Sequence, residues 1–360
     1  MKNRQLQELE SRLRRERIIK LFAFLSMVFI PLFVLFTVDN LLASFVFAFF
    51  ANYLLGPFVN LLERRGLNRN LAILIPFAAT GALVAFGFYE ILPRLAQQAL
   101  SLEAKLPSYQ VDLGNLVAST SHRFSAFANM YHVDINETVS SWLMAQTAHL
   151  SSALPSALSG SLTVLLLAPI FSYFMLADGR GVSKQLLTLV PNNLFEMALN
   201  LSHQLNEQMG AFIRARFLEA AIVGIVVWLG LQISGFPYAS LLGLFAGITN
   251  LIPYLGPLIG AVPAILIVLI SPDAAITDST GLNLLILTSI YFAAQLVDII
   301  FVIPLLVAKI VNLHPVTVII VIIIGSKLMG ILGMVISIPV ASASKLTVQA
   351  FYDHILEFRG

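Results

Sequence analysis

The sequence predicts an all-α polytopic membrane protein with about eight hydrophobic segments, two of them re-entrant helical hairpins in an inverted repeat. Of its 360 residues, 58% are hydrophobic and 11% are charged, with a mean hydropathy of +0.88, whereas soluble domains carry roughly 25% charge. Cysteine is absent, so disulfides and thiolate metal sites are excluded. No cofactor is expected. The net charge of +2 gives no reason to expect a nucleic-acid partner.

The first 92 residues predict a basic leader and three membrane spans. Residues 1–20 hold seven Lys or Arg against three acidic residues, which favours a cytoplasmic amphipathic helix. The loop before the third span carries Arg64, Arg65 and Arg69. Positive residues concentrate on the cytoplasmic side, so we expect this loop and the N-terminus there. Residues 21–92 supply the three spans, as the apolar runs Leu21–Val38, Leu41–Leu62 and Leu71–Leu92.

The middle of the chain changes character. Residues 93–156 are polar and rich in serine, with apolar residues at helical spacing, and predict an external amphipathic helical region. Residues 157–216 predict one span followed by a cytoplasmic interfacial helix that ends at Arg216, and Phe217–Ser234 predicts the next span. No metal site is expected in the external region, because its histidines lack ligand spacing. These are His122, His132 and His149.

A segment of 31 residues without a charge, Ser240–Ile270, is too long for one straight span. As a single helix it would measure about 46 Å, against a hydrocarbon core of about 30 Å. Asn250, Pro253, Gly256 and Pro257 cluster near its centre. Proline removes a backbone donor and glycine permits a non-helical turn. We therefore expect a re-entrant hairpin that enters and leaves on the external side.

A second apolar segment, Val316–Val340, repeats these landmarks. Pro237 and Gly247 are ten residues apart, as are Pro315 and Gly325. Broken segments in corresponding positions of two repeats are typical of secondary transporters, in which the solute binds near the bilayer midplane. The alternative is that each segment is a kinked full span. That topology puts the acidic loop Ser271–Gly281 inside and Lys309 outside, and both run mildly against the positive-inside rule.

Residues 217–345 are therefore predicted to form a transport core, with residues 346–360 as a cytoplasmic tail. Asp298 lies deep in an apolar run, three residues after Gln295 and on the same helical face. An acid at such depth costs at least a few kcal/mol and usually has a function, so Asp298 is the candidate proton or cation site. The alternative is that Asp298 is a structural partner for a buried cation such as Lys327.

The predicted pathway combines this aspartate with the two breaks. Irregular backbone at membrane depth must be covered by protein or water, so the first break is expected to face a cavity. The alternative is a structural kink that a neighbouring helix satisfies. Glycines at both breaks let helices approach closely. The candidate pathway residues are Thr249, Asn250, Pro253, Gly256, Pro257, Gln295, Asp298, Gly325, Lys327, Gly330 and Gly333.

Four motifs in the last third of the chain carry a family resemblance. They are Asn250-Leu-Ile-Pro253-Tyr254-Leu-Gly256-Pro257, Gln295-Leu-Val-Asp298, Leu313-His314-Pro315 and Gly330-Ile-Leu-Gly333. Together they resemble the autoinducer-2 exporter (AI-2E) family of bacterial membrane transporters, in which Glu is more frequent where Asp298 stands. The resemblance implies an inner-membrane protein that transports small solutes and forms homo-oligomers. Some members are linked to export of autoinducer-2 and others to sodium–proton exchange.

Three functions remain open at this point. The first is a secondary transporter that exports a small solute with proton or cation coupling, and the second is a sodium–proton antiporter. The third is a non-transporting membrane scaffold. An enzyme is not expected, because GxxxxGK, HExxH and GxSxG motifs are absent. The expected partners are the lipid bilayer, a small solute with H⁺ or Na⁺, and further copies of the chain, with both termini cytoplasmic.

Overall fold

The computed structural model describes residues 29–30, 33–38, 40–87, 89, 93, 97, 98, 100, 101, 163–188, 190, 194–270, 279–307 and 313–357. Within these ranges the chain is helical and contains no strand, which confirms the all-α prediction. The predicted leader of residues 1–20 and most of the external region of residues 93–156, with its three histidines, lie outside these ranges.

The principal helices are labelled α1 to α8 in chain order. They are α1 Leu41–Arg64, α2 Arg69–Gly87, α3 Thr163–Thr188, α4 Phe195–Ile233, α5 Ala239–Thr249, α6 Gly256–Ile270, α7 Thr280–Val297 and α8 Pro315–Glu357. At its end α7 continues directly into a π-helical stretch, Asp298–Val307, which we call the π segment. The predicted span Phe217–Ser234 thus corresponds to the second half of the longer helix α4.

Five helical stretches in the described part of the chain have the length and apolar character needed to cross a membrane. Large apolar side chains on them remain exposed, among them Leu285, Phe292 and Ile323. Extended apolar surface of this kind marks a site of contact with another apolar phase, in this case lipid. The fold is therefore that of a polytopic membrane protein. The five stretches are Leu41–Arg64, Arg69–Gly87, Thr163–Thr188, Thr280–Pro304 and Pro315–Asp353.

The chain divides into two compact units. One comprises Met1–Asn52 and Leu154–Met175, and its buried side chains include Phe50. The other comprises Tyr53–Ala153 and Leu176–Gly360, and it contains all the candidate pathway residues. The core of the second unit lies where α4, α5, α6 and α7 meet. Its buried side chains are Val223, Val227, Leu231, Phe236, Tyr238, Ala239, Leu242, Ala246, Ala264, Ile267, Val268, Leu287 and Ala294.

Helix α4 organises the second unit, because it packs against α5, α7, the π segment and α8. Its approach to α5 is close. A Cβ atom added to Gly224 would lie 3.1 Å from the Cα of Gly247 and 3.1 Å from the carbonyl oxygen of Gly243. Small residues permit this backbone contact, so the glycines fix α5 directly against the middle of α4.

The segment predicted to break forms two helices that pack against each other, α5 and α6. Helix α5 has 11 residues and α6 has 15, or about 16 Å and about 22 Å. Both are shorter than a hydrocarbon core of about 30 Å. The chain reverses between them through a turn in which Tyr254 has φ 65°. Gly256 closes the turn, since a Cβ atom there would lie 2.7 Å from the Cα of Asn250.

Helix α8 is interrupted in the same manner. Met329 (φ −142°, ψ 17°) and Gly330 (φ 60°, ψ −138°) have non-helical backbone conformations, so α8 consists of two arms, residues 315–328 and 331–357. A Cβ atom on Gly325 would lie 2.8 Å from the carbonyl carbon of Gly333. Eight residues of continuous helix would separate these glycines by about 12 Å. The two arms therefore fold back on each other as a second hairpin.

Candidate functional site

Asp298 stands where α7 gives way to the π segment. Its backbone N–H still donates to the carbonyl groups of Ala294 and Gln295, and the residue is 3% exposed. The Gln295 side chain, predicted from the sequence to share its face, donates from Nε2 to Asp298 Oδ2 over 3.4 Å. Stretches of π-helix are rare and are often found at functional sites. The π-helical backbone and the hydropathy pattern therefore both indicate Asp298 as a candidate functional residue.

A buried ion pair of α4 interacts with this aspartate. Arg216 Nη1 lies 2.6 Å from Glu219 Oε1, and the two side chains are 12% and 2% exposed. Helix α4 packs on the π segment. The positive charge of Arg216 acts on Asp298, and the charge of Asp298 in turn acts on Glu219. These three residues and Gln295 are called the Arg216 cluster below.

Three atoms of the Arg216 cluster have no hydrogen-bond partner among the described residues. They are Arg216 Nε, Glu219 Oε2 and Asp298 Oδ1. Buried polar atoms without partners are costly, and charged ones most of all. Where such a group lies within a membrane segment, as Asp298 does, it commonly marks an ion pathway or a proton relay.

The tip of the first hairpin holds a second group of buried polar atoms. Thr249 and Asn250 are 7% and 3% exposed. The Thr249 hydroxyl donates to the carbonyl oxygen of Phe245 over 2.9 Å and is satisfied within α5. Asn250 Nδ2, in contrast, has no partner in the part of the chain that the structure describes. Pro253 is buried in the turn, and Pro257 falls in the first turn of α6, where its missing N–H costs nothing.

At the second hairpin the predicted residues shape the backbone. Gly325 and Gly333 form the contact between the arms, and Gly330 supplies the positive φ of the turn. Lys327 is exposed on the first arm. The positive charge that acts on Asp298 is that of Arg216. The structure thus gives Asp298 a different cationic neighbour from the one considered in the sequence.

Sequence reasoning missed Arg216 and Glu219 as site residues. Arg216 was assigned to an interfacial helix, and Glu219 is the third residue of the predicted span Phe217–Ser234. Their spacing of three residues places both on one helical face, where opposite charges pair. An acid just inside an apolar run, paired at this spacing with a base, was the signal that could have revealed them.

An open crevice of about 720 Å³ lies beside the start of α5. Gln98 Oε1 accepts a hydrogen bond of 3.2 Å from the Leu241 backbone N–H, one of the donors that the first turn of a helix leaves unpaired. The volume lies within the range of small-molecule sites, about 300–1,000 Å³. Most of its described lining residues have polar side chains, and none of them is ionisable. The lining residues are Gln97, Gln98, Ser101, Trp228, Gln232 and Ser240.

A second ion cluster joins the end of α1 to the start of α2 and to α3. Arg180 Nη2 lies 2.8 Å and Arg69 Nη1 lies 3.0 Å from the same oxygen of Glu63, Oε2. Arg69 also donates to the carbonyl groups of Leu176 and Ala177. The cluster brings together two stretches that the sequence predicts to be cytoplasmic, the loop before α2 and the region around Arg180.

Comparison with known proteins places these features in a family. The model of the family described as "AI-2E family transporter" matches residues 21–353. The chain is 29% identical over 340 residues to "Putative transport protein YueF" of Bacillus subtilis (strain 168), covering 92% of this chain and 88% of that protein. It is 27% identical over 327 residues to "Putative permease PerM" of Escherichia coli (strain K12), covering 89% and 90%. The resemblance drawn from the motifs is confirmed: this multi-pass membrane transporter belongs to the AI-2E family.

Proposed function

We propose that this chain is a secondary transporter of a bacterial inner membrane that exports a small, autoinducer-2-like solute with coupling to a proton or cation at Asp298. The observation that carries the proposal is the buried position of Asp298 at the start of the π segment. The residue is 3% exposed, begins the π segment, and has one carboxylate oxygen without a partner among the described residues. An ionisable residue of this kind in a membrane segment is a functional candidate.

The two hairpins supply the elements that alternate access would require. Helices α5 and α6 are each too short to cross the bilayer, so a hairpin that enters and leaves on one side accommodates them without exposing the turn to lipid. The second hairpin, in α8, would enter from the opposite side as the other half of an inverted repeat. Each side of the membrane would then have a broken helix pair leading towards the midplane.

We place the path of the solute along α5, between Asn250 and the crevice beside the start of this helix. The crevice borders the N-terminal end of α5 and Asn250 follows its C-terminal end, so the two are about 16 Å apart along the helix. Both offer neutral hydrogen-bonding groups. A neutral polar solute would pass between them, while the charged Arg216 cluster handles the coupling ion.

The experiment that tests this proposal is vesicle flux. Purified protein is reconstituted into vesicles that contain a pH dye. The dye reports proton movement across the membrane after a gradient of sodium or of a solute is imposed. The native chain is compared with Asp298→Asn and with Asp353→Asn, an exposed acid of the same type near the end of α8. We expect Asp298→Asn to abolish ion-coupled flux and Asp353→Asn to leave it unchanged. Equal flux from all three proteins would overturn the coupling role.

A sodium–proton antiporter is the second candidate, and the Arg216 cluster favours it because ion exchange requires buried carboxylates and no organic ligand. Sodium-driven pH change without added solute would support this function. A scaffold function would rest on residues 93–156, most of which lie outside the described residues. It would require activity to survive disruption of both hairpins and to be lost on deletion of that region.

A further inference from the structure

We propose that Glu219 and Asp298 together bind one proton, and that Arg216 neutralises the negative charge that remains. The coupling site would then be a cluster of three charges with Glu219 as its second acid, where the proposed function names Asp298 alone. The inference rests on that proposed function, since it specifies the ion and the groups that hold it.

The charges buried in the cluster do not balance. It contains two carboxylates and one guanidinium, and Glu219 and Asp298 are 2% and 3% exposed. A fully ionised cluster would hold one uncompensated negative charge away from water, which is far more costly than a neutral one. One bound proton leaves one carboxylate and one guanidinium, and the cluster becomes neutral.

The charges that act on the two acids come from the cluster itself. The charges that act on Glu219 are those of Arg216 and Asp298, and the charge that acts on Asp298 is that of Arg216. Helix α5 has no ionisable side chain, and the π segment has only Asp298. In α7 the titratable group is the phenol of Tyr291, which donates to the carbonyl oxygen of Gly260 over 3.1 Å. Of the lysines of α8, Lys327 is exposed and Lys345 is half-buried with an interaction of its own, and the charges that act on the two acids do not include theirs.

Each carboxylate of the cluster has one bound oxygen and one oxygen without a partner among the described residues. One oxygen of Glu219 is held by Arg216, and one oxygen of Asp298 accepts from the Gln295 amide. Oε2 of Glu219 and Oδ1 of Asp298 remain without a partner in the described structure. A proton on either oxygen turns an acceptor into a donor, so it changes which groups that carboxyl can bind.

A proton fits this site better than a metal cation does. Hard metal cations take several oxygen ligands, and no group of three or more acidic, histidine or cysteine side chains occurs in the described part of the chain. Gln295 directs its N–H at Asp298, so its amide repels a cation there. In the proposed step a proton passes from water on one side to a carboxylate of the cluster and leaves to water on the other, with no other bond changed.

The test is infrared spectroscopy of the full-length protein in nanodiscs, titrated with pH in sodium-free buffer. The native chain should show the carbonyl stretch of one protonated buried carboxyl at neutral pH, and the band should vanish as pH rises. In Glu219→Gln or Asp298→Asn, the remaining acid pairs with Arg216 alone, so the neutral-pH band should be lost in either variant. Asp353→Asn should keep the band.

Several outcomes would overturn the inference. One is a native spectrum without the band, which needs no variant and does not depend on variant folding. Another is a band that sodium abolishes at constant pH, which would indicate a metal cation. A third is Glu219→Gln with the native band and flux, while Asp298→Asn loses both. That result would leave the proposed function intact and remove Glu219 from it, whereas flux that survives Asp298→Asn would instead contradict the proposed function.

Discussion

The backbones of Gly325 and Gly333 touch. A Cβ atom on Gly333 would lie 2.7 Å from the carbonyl carbon of Gly325, and one on Gly325 would lie 2.8 Å from that of Gly333. Because side-chain atoms essentially never approach backbone this closely, the contact between the arms of α8 depends on both glycines. The relationship is reciprocal, so neither arm can accept even a methyl group without moving the other.

Gly333→Ala is therefore expected to separate the arms of the second hairpin. The clash is with backbone, which cannot rotate away as a side chain would, and overpacking of this type typically costs about 1–3 kcal/mol. The thermal unfolding temperature in detergent should fall and transport should be lost. Gly179→Ala is the matched control, because a Cβ atom there meets nothing within 4 Å. Wild-type stability in Gly333→Ala would show that the arms are not in contact.

The first hairpin allows a parallel prediction at Gly256. A Cβ atom there would lie 2.7 Å from the Asn250 Cα and would overlap the carbonyl oxygen of Thr249. Gly256→Ala should force the turn open and displace Asn250, so solute transport should fall even where the protein still folds. Size-exclusion profiles and flux would be compared with those of Gly281→Ala, whose nearest neighbour would be 3.8 Å away. Native flux in Gly256→Ala would argue against this turn.

Arg216→Gln is expected to be among the most destabilising single changes in α4. It leaves two buried carboxylates without their cation, and breaking a buried ion pair typically costs about 3–5 kcal/mol. It also removes the guanidinium that lies 5.8 Å from the centre of the Phe212 ring. Arg214→Gln provides the control, since Arg214 is exposed on the same helix. Equal unfolding temperatures for the two variants would contradict the assignment of Arg216 to a buried cluster.

The ion cluster of Glu63, Arg69 and Arg180 should make the thermal stability of the protein depend on salt concentration. Arg180→Ala removes two of the charge-assisted hydrogen bonds to Glu63 and should lower the unfolding temperature in low salt. Since Arg180 is exposed, the difference from the native chain should shrink as salt screens the attraction. Arg65→Ala removes an exposed arginine from the loop between α1 and α2. It should have little effect on the unfolding temperature at any salt concentration. A difference that persists in high salt would show that the pair is not electrostatic.

The two helix breaks, and the position of Asp298 within an apolar run, could be predicted from the sequence because their signals are local. Clustered proline and glycine residues favour a break in a helix, so the turns at Asn250–Gly256 and at Gly330 could be predicted. Asp298 stood out because few charges occur in such a run. In each case the physical cause lies within a few residues of the chain.

The Arg216 cluster was not accessible in the same way, because it depends on tertiary packing. Nothing in the sequence specifies that α4 packs against the π segment, so Arg216 could not be chosen over Lys327 as the cation that acts on Asp298. The π segment was also missed, since Asp298–Val307 is uniformly apolar after its first residue and gives no periodicity. A helix with a wider turn looks the same as an α-helix in such a stretch.

We propose that the two hairpins enter the membrane from opposite sides, and the absence of cysteine allows a direct test. Single cysteines flank each hairpin: Ser234→Cys and Thr280→Cys around the first, His314→Cys and Tyr352→Cys around the second. Each is labelled in intact cells and in inverted vesicles with a membrane-impermeant maleimide. We expect the first pair to react only from outside and the second only from inside. If the two members of one pair react from opposite sides, that segment is a kinked full span and the opposed hairpins are ruled out.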